Sequence, residues 1–298
     1  MKAYTKEWTV SGNEGLTIKE FLKGEGISKS ALAFVKFHGG EIIVNEVERT
    51  VRYILQKGDR LKVTFPPEVP SGGLKPENIP LTIVYEDEHV LVVNKPARMN
   101  TIPSKEHPTG SLANALLFYY EKIGLPSTVH IVTRLDRDTS GLVLIAKHQF
   151  VHGKLSLLQQ QKKVNREYEA LSEGTFKEPY GKIELPIGRK DTSIIEREVR
   201  HDGKYACTYY SVLQNFQNFS HVKLKLETGR THQIRVHLSH IGHPLVGDTL
   251  YGGGSKWLKR QALHCSSLSF FHPFLKEELH LKCQLPKDIK KLVKNGSE

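Results

Sequence analysis

Cysteine is scarce in this sequence: Cys207, Cys265 and Cys283 are scattered over 298 residues with no CxxC pair. That spacing argues against a disulfide framework or a thiolate zinc site, and it fits a reducing cytoplasm as the expected location. No apolar stretch reaches the ~20 residues that a membrane-spanning helix needs. The opening MKAYTKEWTVSG has no apolar run of the signal-peptide kind. Neither secretion nor a membrane partner is expected. Acidic residues are the minority, 32 against 43 Lys and Arg, leaving a formal charge of +11 and a pI near 9.4. Such a surplus favours an anionic partner, with nucleic acid the default. Hydrophobic residues at 38% and charged ones at 25% exclude a disordered or collagenous chain, and the length suggests about two domains.

Several signatures are missing. There is no GxxxxGK[ST]; the run Gly252-Gly253-Gly254-Ser255-Lys256 lacks the earlier glycine of a phosphate loop. Gly24-Glu25-Gly26 lacks the third glycine of a dinucleotide fingerprint, and no GxSxG elbow occurs. No nucleotide cofactor and no acyl-enzyme are therefore expected.

What is present falls into three parts. In the first, Thr17 and Glu20 have capping-box spacing ahead of the apolar face Ile18, Phe21 and Leu22. A second helix is predicted from Ser28 or Ser30, burying Ala31, Leu32, Val35 and Phe34 and stopping at Gly39-Gly40. A β-branched strand over 41–47 and the turn Lys57-Gly58-Asp59 lead to Leu61, Val63 and Phe65, which alternate with polar residues as a half-buried strand should. Residues 1–66 are expected to form this unit. Prolines 66, 67, 70, 76 and 80, with Gly72-Gly73, follow. Proline removes backbone donors and fixes φ, so 67–80 is expected to be a linker. From 81 to 298 strands dominate, at 81–85, 89–94, 129–135, 142–147, 164–172, 204–213, 221–227 and 263–285. Helices are predicted over 110–124, 151–163 and 231–241, with a short Lys-rich one at the end. A mixed sheet with attached helices, an α+β class, is the economical architecture.

Three segments could carry chemistry. In residues 129–142 a strand leads to Arg134 and Asp136 on a polar loop, and a second strand leaves it. Asp136, flanked by Arg134 and Arg137, is a candidate nucleophile or base, although an Asp–Arg network can also merely pin a turn. In residues 226–237 a strand ends at Gly229 and a helix begins; Arg230 at that turn can aim its planar fork at a carboxylate or phosphate. His237, His240 and His243 are spaced like metal ligands, but no HExxH accompanies them. Tyr168 sits in Asn165-Arg166-Glu167-Tyr168-Glu169, as packing or as a surface for a base.

Together these segments closely resemble the RluA-like family of RNA pseudouridine synthases. The resemblance rests on YEDEHVLVVNKPARMNTIP, VTRLDRDTSGLVLIAK, REYEAL and LETGRTHQIRVHLSHIGHPLVGDTLYG, with ALHCSSLSFFHPF and LPKDIKKL following in order. It implies a mixed, mostly antiparallel catalytic domain over 81–298 that isomerises uridine in ribosomal or transfer RNA with no cofactor and no metal. It makes Asp136 the catalytic aspartate and places Tyr168 against the target uracil, assisting proton removal at ring carbon 5. It gives Arg230 the ion pair that positions Asp136, and has Arg134 replace the flipped nucleotide. Thr139, Gly229, Thr231 and Gln233 are the other implied substrate contacts. Separately, GISKSALAFVKFHGGEIIVNEVERTVRYILQKGDRLKV resembles the alpha-L RNA-binding module named for a small-subunit ribosomal protein, which implies RNA contacts by Lys29 and Lys36.

Residue chemistry agrees with the resemblance. A hydrolytic glycosidase normally needs two carboxylates across the bond, and Asp138 shares the short loop of Asp136. Two positions depart from the family pattern: Thr133 stands where His is common, and Arg98 replaces the glycine of KPAG. Two other readings compete: a noncatalytic RNA-binding or ribosome-assembly protein on the same fold, and a metal-dependent nuclease using His237, His240 and His243. A monomer is the default expectation.

Overall fold

The computed structural model describes residues 4–12, 14–69 and 72–296. Its N-terminal part is a four-stranded antiparallel sheet in the order Tyr4–Thr9, Arg60–Phe65, Glu41–Val44, Val47–Glu48, with helices Ile18–Gly24 and Lys29–Phe37 on it. Both expected helix starts are present: Thr17 forms a full capping box with Glu20, and the Ser28 hydroxyl accepts the Ala31 amide. Ile18, Leu22, Val35, Leu61 and Val63 are at the centre of the core.

Two features of this part depart from the sequence reading. The strand expected over 41–47 breaks after Val44, because Asn45 and Glu46 both take positive φ and turn the chain into a hairpin. The Tyr4–Thr9 strand was unforeseen; its alternation is between exposed and half-buried positions, so no apolar face marks it.

The N-terminal core is completed from elsewhere. Phe150, on helix Gln149–Gln160, enters it and stacks on Phe65 with ring centroids 5.4 Å apart, while Tyr4 packs on the same Phe65 ring at 5.7 Å. Lys154 pairs with Glu25 at 3.2 Å. The expected linker is irregular but anchored. The Glu68 carboxylate accepts the Gln149 amide and pairs with His130, while Asn114 Nδ2 donates to the Lys75 carbonyl. Pro70 lies outside the described residues.

A ten-stranded mixed sheet dominates the rest, beside a separate two-stranded antiparallel sheet of Ile187–Arg189 and Arg197–Val199. Its main path runs Tyr180–Glu184, Cys207–Asn215, Phe219–Leu226, Val164–Glu173, Leu263–His272, Ser140–Ala146, Val90–Lys95, Ile83–Glu86. Glu277–Lys282 pairs with Leu263–His272, and His130–Ile131 with Ser140–Ala146. Only the contact between Leu263–His272 and Ser140–Ala146 is parallel, so the sheet is mostly antiparallel and the class α+β, as expected. Gly141 makes that contact possible. Its φ is +119°, and a Cβ there would lie 2.3 Å from the Cys265 carbonyl oxygen.

The strand expected over 129–135 ends at Ile131. Beyond it the amides of Val132 and Thr133 both reach the Leu144 carbonyl, and Thr133 Oγ1 accepts the Leu144 amide, so the regular ladder stops. Arg134 and Asp136 therefore sit on an irregular segment held against the sheet. The strand-like stretch expected over 263–285 is a hairpin, and helix Lys287–Gly296 closes the described chain. Among the described residues no helix is long and apolar enough to cross a membrane.

Candidate active site

Asp136 lies in a chain segment whose carbonyls are fixed one by one. The Leu135 carbonyl accepts Thr101 Oγ1 at 2.6 Å, and the Asp136 carbonyl accepts the Thr139 amide at 3.1 Å. The Arg137 carbonyl accepts Lys95 Nζ at 3.2 Å and the Met99 amide at 3.1 Å; the Asp138 carbonyl accepts Arg260 Nη1 at 3.1 Å. Lys95 is fully buried, and its ammonium also donates to the carbonyls of Pro96 and Met99, both at 2.8 Å. Burial pulls this lysine down to about 7 despite the nearby carboxylates of Asp136 and Asp138. Arg260 in turn grips Asp288 of the last helix through two bonds of 2.8 and 2.9 Å, so the C-terminal helix is tied to the Asp136 loop.

The side chain of Asp136 faces an open cavity of about 480 Å³. Its Oδ2 accepts Arg235 Nη1 at 3.3 Å, and His232 Nε2 is 3.8 Å away. Arg235 is held by Asp248 in a two-bond fork of 2.7 and 2.8 Å and lies over the Tyr251 ring. His232 adopts φ +56° at the start of helix Gln233–His240, and its Nδ1 is 2.8 Å from the Tyr251 hydroxyl. Burial keeps its imidazole below the usual histidine range, against the pull of Asp136.

These contacts correct the sequence reading of Arg230. Its Nε donates to the Tyr205 carbonyl at 2.9 Å, and it forms no ion pair with Asp136. Arg230 precedes the helix and is exposed at the cavity mouth, whereas Arg235, one turn into the helix, points inward. Nothing in the local string separates the two arginines. Asp248, which orients Arg235, is thirteen positions further along and carries no spacing signal.

All eight residues expected at the site line this one cavity: Asp136, Tyr168, Arg230, Arg134, Thr139, Gly229, Thr231 and Gln233. Their surroundings separate them. Tyr168 is 4% exposed, and burial pushes its phenol above the ordinary tyrosine range while Arg166 pulls the other way. Arg134 is exposed, and its guanidinium has no hydrogen bond or ion pair among the described residues. Gly229 and Thr231 are exposed beside it. Gln233 and Thr139 do not fit a substrate-contact role. The Gln233 amide donates to Cys207 O and Thr208 Oγ1 and accepts from Thr228 and the Arg230 amide, so it braces the turn. Thr139 is buried, with Gln261 donating to its hydroxyl at 3.3 Å.

The charge pattern of the cavity is lopsided. Arg134, Arg137, Arg166, Arg230 and Arg235 line it together with a single carboxylate, Asp136. Asp138 is not among the lining residues and lies 3.6 Å from Arg137. That composition accommodates an anionic substrate and leaves out the second acid of a hydrolytic glycosidase. Nor do the three histidines converge. His237 is fully buried between Thr208 Oγ1 and the Leu185 carbonyl, His243 contacts the Glu173 carbonyl and stacks on Phe176, and His240 is exposed. Among the described residues no group of three or more His, Cys, Asp or Glu is placed to hold a metal.

Residues 89–240 match a family model described as RNA pseudouridylate synthase. The uncharacterized RNA pseudouridine synthase YjbO of Bacillus subtilis is 50% identical over 94% of this chain and 99% of its own length. Ribosomal large subunit pseudouridine synthase D of Haemophilus ducreyi is 40% identical over 74% of this chain and 71% of its own. Among solved structures, human RNA pseudouridylate synthase domain containing 1 superposes with a TM-score of 0.58 at 25% identity, covering 77% of this chain and 98% of that one.

Proposed function

The chain belongs to the RluA-like family of RNA pseudouridine synthases, and from that premise we propose that Asp136 is the catalytic aspartate of a large-subunit ribosomal RNA isomerase. The substrate class follows the named activity of the pseudouridine synthase D relatives, with transfer RNA as the other class compatible with the site. The observation that carries the assignment is a cavity in which one carboxylate faces five arginines and a buried tyrosine.

The reaction breaks the bond between uracil N1 and the ribose C1′, turns the retained uracil, and joins its C5 to C1′. The C5 proton is lost to solvent and N1 gains one. Asp136 acts on the sugar, either by attacking it or by removing a sugar proton. Arg235 and the backbone clamp hold its carboxylate in place. Extracting the target base costs a few kcal/mol and requires a wedge and a surface for the flipped ring. Arg134, exposed and without a hydrogen bond or ion pair among the described residues, fits the wedge. Tyr168 fits the surface, and because burial keeps its phenol protonated its ring face is the part that serves, rather than a phenolate base. Arg230, at the mouth, is then a contact for the RNA backbone. Residues 4–65 supply a second RNA contact through exposed Lys29 and Lys36. The enzyme acts as a monomer in the cytoplasm, without metal or cofactor.

Tritium release from RNA labelled at uracil carbon 5 tests the proposal. Release from large-subunit ribosomal RNA transcripts is expected. Release from transfer RNA alone would move the substrate assignment, and none from either would overturn the proposal.

A further inference from the structure

A second cavity, about 570 Å³, opens beside the catalytic one, and Arg166 and Gly229 line both. Its volume falls within the ~300–1,000 Å³ usual for small-ligand pockets. Arg166 is half-buried, yet its guanidinium forms no hydrogen bond or ion pair with any described residue. It lies so close to Gly229 that a Cβ there would be 2.8 Å from Nη2. A partly desolvated guanidinium with five free donors at the junction of two cavities calls for an anion. Beyond it, the exposed ring of Tyr209 is held at its hydroxyl by Glu227 at 3.1 Å, and Lys162 neutralises the same carboxylate at 2.7 Å. Lys225, opposite Tyr209 in the sheet register, remains without an ion-pair partner among the described residues.

We propose that Arg166 holds the phosphate joining the flipped uridine to its neighbour, and that the second cavity receives that neighbouring nucleotide, its base on Tyr209, with Lys225 on the strand between the two adding positive charge. The inference rests on the reading of the first cavity as the uridine site. Arg166, Lys225 and Tyr209 stand on three successive strands of the sheet and all line this cavity, so a strand leaving past Gly229 meets two cations and an aromatic face. This combination suits a single-stranded nucleic acid, since aromatic faces stack bases and cations track the backbone.

Fluorescence anisotropy with a labelled pentauridylate, titrated over a range of KCl, separates the two contacts. Arg166→Met is expected to lower the slope of log Kd against log salt by about 0.7, the value for one phosphate on a single strand. Arg166→Lys is expected to restore it. Tyr209→Leu is expected to weaken binding roughly tenfold with the slope unchanged, because stacking releases no counterions. An unchanged slope in Arg166→Met would overturn the phosphate contact, and unchanged affinity in Tyr209→Leu would overturn the base site. Wild-type tritium release, measured alongside, shows independently whether the uridine reading itself has failed.

Discussion

From Leu135 to Asp138 every backbone carbonyl accepts a hydrogen bond, three of the four from buried or half-buried side chains. Lys29 and Lys36 on the second N-terminal helix, by contrast, are exposed and form no ion pair with a described residue. Both regions are rich in polar groups, yet one encloses them and the other displays them. Enclosure suits a carboxylate that must meet one sugar atom, since buried partners remove its freedom of motion. Display suits contact with a flexible polyanion, where charge attracts from a distance and geometry matters little. Substitutions in the enclosed region should therefore cost stability and turnover together, and those in the displayed region should touch binding alone.

The largest effect is expected from Arg235→Met. It leaves the buried Asp248 carboxylate without its partner and Asp136 without its cation. Breaking a buried pair in this way costs about 3–5 kcal/mol, to be read from urea unfolding, with turnover lost as well. Lys95→Met comes next. It leaves three carbonyls without that donor, and each buried group left unsatisfied costs about 1–3 kcal/mol. Lys95 also gives a pH signature. Its folded value near 7 lies below the ordinary lysine value, so the unfolded chain holds the proton more tightly between the two. Wild-type stability should accordingly gain a contribution as pH rises from about 7 toward 10. A urea midpoint measured at pH 7 and pH 9 should show this gain in the wild type and not in Lys95→Met.

A smaller change of opposite sign is expected at Arg98. It occupies φ +64° in the turn beside Lys95, a conformation that costs a side chain about 1–2 kcal/mol and glycine little. Arg98→Gly should raise the unfolding midpoint by a corresponding amount. Smallest of all, Lys29→Ala and Lys36→Ala should leave the unfolding midpoint in place and each reduce the salt slope of RNA binding by about 1 or less. A large stability loss from either lysine variant would break the contrast between the two regions.

The two regions also differed in how far the sequence alone disclosed them. The first helices were legible because capping is local: Thr17 and Glu20 stand three apart, and both halves of the box form. Leu61, Val63 and Phe65 were legible because one sheet face is buried. The Asp136 segment was located but its support was not. Lys95, Thr101, Arg260 and Asp288 reach it from distant parts of the chain, and no periodicity reports such contacts. Arg230 and Arg235 sit five positions apart in one string, and only the course of helix Gln233–His240 decides which guanidinium meets Asp136. Gln233 reads as a polar residue near a site, but its amide closes the adjoining turn.

The most direct test pairs two readouts on wild type and Asp136→Asn: tritium release from uracil carbon 5, and equilibrium binding of the same RNA. The exchange keeps the size of the side chain and removes its charge. The account predicts release by the wild type, a loss of roughly 10²–10⁴-fold or more in the variant, and nearly equal affinity, because backbone contacts supply most of the binding. Comparable release by Asp136→Asn, or affinity that falls as far as turnover, would contradict it.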